Sequence, residues 1–202
     1  ENDIDGQTVY DSVSAIPSSI DLAFVATPAH TTPTILKECG EAGVSGVVVI
    51  AAGFREVGAD ELEQEIRDIA SEYDICLFGP NIQGVYNVTQ GLNLLGGYHM
   101  PEGQIALLTQ SGNVGLELGS HARSHPNTGF SLNVGIGNET GLKFHEFLPF
   151  IHDHEPSDTL VCYVDGMADG RSFLQAASQV SSELPVVVLK GGLTDAGRQS
   201  AE

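Results

Sequence analysis

The chain has 202 residues, 41% of them apolar and only 17% charged, with 24 glycines and no tryptophan, a composition that excludes disorder and a collagen-like repeat and suffices for one large or two modest cores. Its net charge of −19, from 27 acidic against 8 basic side chains, leaves no supply of the basic patches that phosphate backbones and anionic membranes require, so nucleic acid and membrane surfaces are excluded as partners. The longest strongly apolar run, Val47 to Ala52, falls far short of the ~20 residues that cross a bilayer. Three widely spaced cysteines, Cys39, Cys76 and Cys162, sit among strand- or helix-like neighbours and read as buried, reduced thiols of a cytoplasmic protein. A surface rich in acids and poor in lysine suits high salt, where screening removes self-repulsion, and points to a halophilic source.

Short Val-, Ile- and Leu-rich runs alternate with amphipathic segments, the rhythm of a parallel α/β sheet covered on both faces. After a weak strand-like run around Gln7 to Tyr10 and a short helix, the first clear strand is Ile20 to Ala26. Thr31-Thr32-Pro33 then starts a helix that runs to about Gly40. Strand Gly46 to Ala51 precedes an acidic helix from about Asp60 to Tyr73, in which Leu62, Ile66, Ile69 and Tyr73 share a face and the Glu and Asp positions read as a solvated flank. Strand Ile75 to Phe78 enters a Gly- and Asn-rich stretch reaching about Gly103, the expected domain boundary. The rhythm restarts with strand Ile105 to Thr109, helix Gly112 to Ser124, strand Phe130 to Val134, helix Leu142 to Asp153, strand Leu160 to Val164, helix Gly170 to Ser182 and strand Val186 to Leu189. The first unit holds only about three strands and the second has no closing helix, so the expectation is a piece of a longer polypeptide.

Open parallel sheets bind ligands at the carboxyl ends of their strands, which directs attention to the loops at Ala26 to Ala29, Ala51 to Arg55, Gly79 to Gly84, Gln110 to Asn113, Asp165 to Asp169 and Lys190 to Gly197. Thr109-Gln110-Ser111-Gly112-Asn113 opens a helix whose free N–H groups can hold a phosphate, with Gly112 allowing close backbone approach; a plain helix cap is the competing reading of Ser111. A serine nucleophile fails on pattern, because Thr109 stands where a nucleophile elbow has glycine. Glu117, His121 and His125 share one helical face and His152 and His154 flank Asp153, but both sets read as solvated imidazoles and no metal site is assigned.

Five of these segments, in this order and spacing, carry a resemblance: Val25-Ala26-Thr27-Pro28, Gly79-Pro80-Asn81-Ile82-Gln83-Gly84-Val85, Thr109 to Asn113, Gly135-Ile136-Gly137-Asn138-Glu139, and Lys190-Gly191-Gly192-Leu193-Thr194-Asp195-Ala196-Gly197. Over essentially its whole length the chain resembles the nucleoside-diphosphate-forming acyl-CoA synthetases, the superfamily of the succinyl-CoA synthetase α subunit and the ADP-forming acetate–CoA ligases, and the acetate-type branch fits better. The resemblance implies an incomplete Rossmann-like CoA-binding domain at residues 1–100, its first strand and Gly-rich loop lying before Glu1. A flavodoxin-like ligase domain would follow at 103–202, its C-terminal part missing.

It implies further that coenzyme A runs along Val25, Ala26, Thr27, Pro28, Ile50, Ala51 and Ala52, and that Pro80 and Asn81 lie near its thiol end and the acyl group. In this family's chemistry an acyl phosphate forms, an imidazole takes its phosphoryl group and ADP on an ATP-grasp domain or subunit receives it. ATP or ADP with Mg²⁺, a small carboxylic acid and an oligomeric assembly are therefore implied. The phosphoryl group would be cradled by two helix starts, Ser111, Gly112 and Asn113 on one side and Gly166 to Asp169 on the other. Asp165 stands where the family has a glutamate that orients the histidine, and is one methylene shorter. The histidine itself is expected in a Ser-His-Thr-Gly run, and the chain ends at Gln199-Ser200-Ala201-Glu202, just short of it. The alternative reading is a noncatalytic CoA-sensing module fused to a lysine acetyltransferase.

Overall fold

The protein is described by a computed structural model covering residues 3–96 and 98–192. A hairpin of β1 (Asp3–Ile4) and β2 (Gln7–Thr8) is followed by a 3-10 turn at Val13–Ala15. Three parallel strands, β3 (Leu22–Val25), β4 (Gly46–Val49) and β5 (Cys76–Phe78), then form a sheet in chain order, with α1 (Thr32–Glu41) and α2 (Asp60–Glu72) as the crossovers. Pro33 lies in the first turn of α1, where a missing N–H costs nothing. Ile66 and Ile69 of α2, Leu36 and Cys39 of α1 and Val47 and Val49 of β4 build one core.

The second sheet is larger. Strands β6 (Val85–Asn87), β7 (Leu92–Asn93), β8 (Glu102–Thr109), β9 (Phe130–Gly135), β10 (Thr159–Val164) and β11 (Val186–Lys190) are ordered β11-β10-β8-β9-β6-β7. The four strands β8 to β11 pair in parallel, and β6 and β7 add antiparallel at the β9 edge. Period-two alternation sorts the faces: Ala106 and Leu108 pack with Phe144, Leu148 and Ile151 of α4 (Phe144–Asp153) and Phe173 of α5 (Gly170–Val180), whereas Leu107 packs on the other side with Ala122 of α3 (Gly112–Ala122), Tyr86 and Met100. Because β8 has β9 on one side and β10 on the other, the chain reverses direction across the sheet there. The loops after β8 and β10 therefore flank a topological switch point, where α/β sheets open a crevice.

Several expectations need correction. The Gly- and Asn-rich stretch is not simply a link, since it contributes β6 and β7 to the second sheet. Cys76 is exposed rather than buried, because β5 is an edge strand whose alternation turns Leu77 inward instead. Glu63 is no part of a solvated flank, being only 2% exposed. Residues 166–169 precede α5, which starts at Gly170 with Asp169 as its cap, so they are a loop rather than a helix start. Among the described residues no helix is long and apolar enough to cross a membrane.

The two units meet along Gly79–Gly84 and the loop after β9. Asn138 N–H donates to the Pro80 carbonyl at 3.1 Å, Leu142 N–H to the Leu77 carbonyl at 3.0 Å and Gly135 N–H to the Gly84 carbonyl at 3.0 Å. Gly137 has φ +57, and a Cβ there would run into the Pro80 carbonyl oxygen, so glycine is required for this approach.

Candidate functional site

At the end of β8 the backbone is locked before α3 begins. Ser111 N–H donates to Thr109 Oγ1 at 3.0 Å, Thr109 Oγ1 donates to the Ser111 carbonyl at 2.8 Å, and Ser111 Oγ accepts from Val114 N–H at 3.4 Å. Ser111 is thus a true cap, and the N–H groups of Gly112 and Asn113 remain without a partner among the described residues, as the first turn of any helix dictates. Gly112 and Asn113 line a cavity of about 620 Å³ together with Asn81, Gln83, Gln110 and Asp165. A second cavity of about 400 Å³ adjoins it, sharing Glu56, Asn81, Gln110 and Asp165 and adding Arg55, Asn138, Glu139 and Gly166. The tip of α3 and the loop after β10 therefore open onto one concavity, in which the expected residues Ser111, Gly112, Asn113, Asp165, Gly166 and Asn81 come together.

The loop after β10 differs from the expectation in its donors. Gln110 Oε1 accepts from the N–H groups of Asp165 at 2.7 Å and Gly166 at 2.9 Å, and Glu139 Oε2 accepts from Ala168 N–H at 3.0 Å. The α5 start is capped by Asp169, whose carboxylate accepts from Ser172 Oγ at 2.6 Å and Ser172 N–H at 3.0 Å. Those Ser172 bonds hold the Asp169 carboxyl below its usual pKa. Gly166 N–H is accordingly occupied by a side chain, whereas Met167 N–H on the same wall, like those of Gly112 and Asn113, has no partner among the described residues. The Asp165 carboxylate accepts from the Tyr163 hydroxyl, and this bond, with desolvation and the neighbouring charge, pushes the phenol up. Lys190 Nζ donates to the Asp165 carbonyl at 2.6 Å, anchoring the loop to the edge strand.

The opposite wall comes from the first unit. Asn81, at φ +58, donates its backbone N–H to the Ala51 carbonyl at 2.9 Å and its side-chain Nδ2 to Asn138 Oδ1 at 3.2 Å. Asn138 Nδ2 donates to Glu56 Oε2 at 2.7 Å and to Glu63 Oε2 at 2.9 Å, and its carbonyl accepts from the Arg55 guanidinium. Thr140 Oγ1 donates to Glu63 Oε1 at 2.7 Å, while Arg55 and Arg67 lie 3.7 Å from the same oxygen. Burial alone would raise the Glu56 carboxyl, but Asn138 and the N–H groups of Gly53 and Phe54 outweigh it and hold it below its usual value.

Of the residues expected to touch a nucleotide, Val25 and Ile50 lie where β3 and β4 end side by side, joined by Ile50 N–H to the Val25 carbonyl at 3.2 Å. Ala26, Thr27, Pro28 and Ala52 are exposed there, Ala51 is half-buried, and Val25 is buried and offers only a floor. Ala26, Ala51 and Ala52 carry only methyl side chains at these strand ends. None of the seven lines either cavity. Pro80 bridges the two regions through its carbonyl, which accepts from Asn138.

The seven histidines lie elsewhere. His121 and His125 stack at 4.1 Å near the far end of α3, His152 faces Glu183, His154 bonds Ser157, and His30, His99 and His145 are likewise absent from the cradle's lining. The segment Leu193-Thr194-Asp195-Ala196-Gly197 and everything after it lies outside the described residues.

Residues 1–87 match a family described as a CoA binding domain, and residues 102–202 match the succinyl-CoA ligase like flavodoxin domain. The chain belongs to the succinyl-CoA ligase-like family. An ADP-forming acetate–CoA ligase of Methanocaldococcus jannaschii is 37% identical over the whole chain, which covers 28% of that protein. The α subunit of ADP-forming acetate–CoA ligase II of Pyrococcus furiosus is 34% identical, with the chain again fully covered and 44% of the relative spanned. Among solved structures, the dinucleotide-forming acetyl-coenzyme A synthetase 1 of Ca. Korarchaeum cryptofilum superposes with TM-score 0.93 in its apo form, at 33% identity over 100% of this chain and 44% of that one. The same protein in complex with phosphate and ADP gives TM-score 0.92. The chain thus spans less than half the length of these relatives.

Within this succinyl-CoA ligase-like framework, Gly135–Glu139 and the loop ending at Arg55 are visible in the sequence as separate segments, and the meeting of Asn138 with Glu56 is not. Their contact joins residues separated by 82 positions, and no local pattern announces it. Gln110 was within reach of inference, because it sits beside Ser111 at the switch point.

Proposed function

We propose that this chain is the CoA-binding and phosphoryl-cradling part of an acetate-type, ADP-forming acyl-CoA ligase, interconverting acyl-CoA, ADP and phosphate with a carboxylic acid, CoA and ATP through a phosphohistidine. The observation that carries the reading is the single concavity at the switch point, which Gly112 and Asn113, with their free N–H groups, line together with Asp165 and Asn81. Those N–H groups and the positive end of α3 supply fixed donors for phosphoryl oxygens, in a place that needs no reorganisation when charge arrives. Asn81 adjoins them and is bonded to Ala51, so the acyl end of the substrate lies between the phosphoryl donors and the strand ends that take CoA.

In the transfer step an imidazole nitrogen attacks the phosphorus of an acyl phosphate, the P–O bond to the acyl group breaks and a carboxylate leaves; ADP later takes the phosphoryl group from nitrogen. Asp165 orients the imidazole, and Gln110 holds Asp165 by its backbone N–H. None of the seven histidines lines the cradle, so the phosphorylated histidine is one that another part of the enzyme supplies. ADP or ATP with Mg²⁺ is held by an ATP-grasp domain or subunit in an oligomeric assembly, in the cytoplasm. The acetyltransferase-fused regulatory alternative is not favoured, as the relatives described above are ligases and synthetases.

The test is to incubate the full-length protein with ATP and follow acid-labile, base-stable phosphate on it. Phosphohistidine that disappears when CoA and acetate are added, or when the supplied histidine is replaced, is the expected result. A protein that turns over acetate and CoA without ever carrying such a phosphate contradicts the proposal.

A further inference from the structure

Asn138, in the second unit, is 6% exposed, and every polar atom it has bonds a residue of the first. Its backbone N–H donates to Pro80 and its carbonyl accepts from Arg55, while its side chain reaches Glu56, Glu63 and Asn81. The direction of that side-chain amide is set by its neighbours. Carboxylate oxygens only accept, and two of them, Glu56 Oε2 at 2.7 Å and Glu63 Oε2 at 2.9 Å, lie on one side. Both hydrogens of Nδ2 must point there, so Oδ1 must point the other way, toward Asn81. An oxygen in that position demands a donor, and Asn81 meets it with Nδ2 at 3.2 Å. The polarity of Asn81 is thereby fixed from a distance, leaving its Oδ1 and one N–H for the concavity it lines.

We propose that Asn138 is a positioning residue for Asn81: the carboxylates of Glu56 and Glu63 orient the Asn138 amide, and Asn138 in turn sets which face of the Asn81 amide meets the carboxylic acid substrate. The proposal rests on the acyl-site role given to Asn81 above. It explains why two acids from different elements, Glu56 in a 3-10 turn and Glu63 in α2, converge on one neutral amide with, among the described residues, only Arg55 and Arg67 as counter-charges. A freely turning Asn81 would present donor and acceptor interchangeably and discriminate poorly between a carboxylate and its neutral ester or acyl phosphate.

The experiment is steady-state kinetics of the full-length ligase with acetate as the probe acid, ATP and CoA, comparing wild type, Asn138→Ala and Asn138→Asp. Wild-type turnover of acetate tests the reading of the site, before any variant is made; its failure sinks that reading and this proposal together. With an active wild type, Asn138→Ala raises KM for acetate about ten-fold or more, as expected for a polar site left unpaired, while KM for CoA changes little. Asn138→Asp keeps an oxygen for Asn81 but brings a third carboxyl against Glu56 and Glu63, with Glu139 and Asp165 also nearby on the cavity wall and Arg55 and Arg67 opposing. Its defect shrinks as pH is lowered and the introduced carboxyl, once protonated, can donate as the amide did. Should Asn138→Ala not fold, the pH trend of Asn138→Asp decides alone. Acetate and CoA KM values that move together, or equal defects in both variants at every pH, mark a purely structural role and overturn the proposal.

Discussion

Glu63→Ala is expected to lower the thermal midpoint of the protein by about 6–20 °C, the equivalent of ~3–5 kcal/mol in a chain of this size. Glu63 is 2% exposed and collects Thr140 Oγ1 at 2.7 Å, Asn138 Nδ2 at 2.9 Å and Arg55 N–H at 3.2 Å on its two oxygens. Each bond to a charged acceptor is worth about 1.5–3 kcal/mol, and losing the acceptor strands the donors in a buried interface. The arginine contribution is smaller, because Arg55 and Arg67 are 44% and 45% exposed and solvent screens them. Differential scanning calorimetry checks the value, with Glu61→Ala on the exposed side of the same helix as control, expected within about 0.5 kcal/mol of wild type. A Glu63→Ala midpoint within a degree or two of wild type would show that the two units do not depend on this carboxylate.

Gly112→Pro is expected to slow phosphoryl transfer in the full-length protein by about 10²–10³-fold while leaving the fold intact. Proline at the first position of a helix is well tolerated, since the N–H it lacks has no helical partner there. The residue before it must be extended, and Ser111 already is, at φ −108 and ψ 115. The new Cβ meets Gln83 Cβ at 3.2 Å, a contact that requires Gln83 and its backbone to give by about a few tenths of an ångström. What the substitution removes is one backbone donor aimed into the cradle. Rapid-quench measurement of histidine phosphorylation, beside a thermal midpoint within about 2 °C of wild type, is the check; wild-type phosphorylation rates would mean that α3 does not hold the phosphoryl group.

Much of the second unit was legible because its strands alternate cleanly. Ala106, Leu107 and Leu108 announce two packed faces, and Ser111-Gly112 announces a helix start with a polar cap. Strands β6 and β7 were not, since three and two residues between glycines carry no period to read. The start of α5 at Gly170 was legible, but its cap was not: Asp169 takes Ser172 N–H three positions on, and the expected donor run Gly166 to Asp169 is a loop ahead of the helix. Glu63 looked like any other acid on an acidic helix; what makes it a buried hub is Asn138 and Thr140, 75 and 77 residues away. The cradle was therefore predictable as a set of strand ends, but the side chains that fasten one strand end to another were not.

The most direct measurement is a crystal structure of the full-length protein trapped in its phosphorylated state. The account predicts a phosphohistidine with its phosphoryl oxygens within hydrogen-bond distance, about 2.7–3.2 Å, of the Gly112 and Asn113 N–H groups and its imidazole against Asp165. A phosphoryl group seated away from the α3 tip, with Gly112 and Asn113 turned to solvent or to protein, would contradict it.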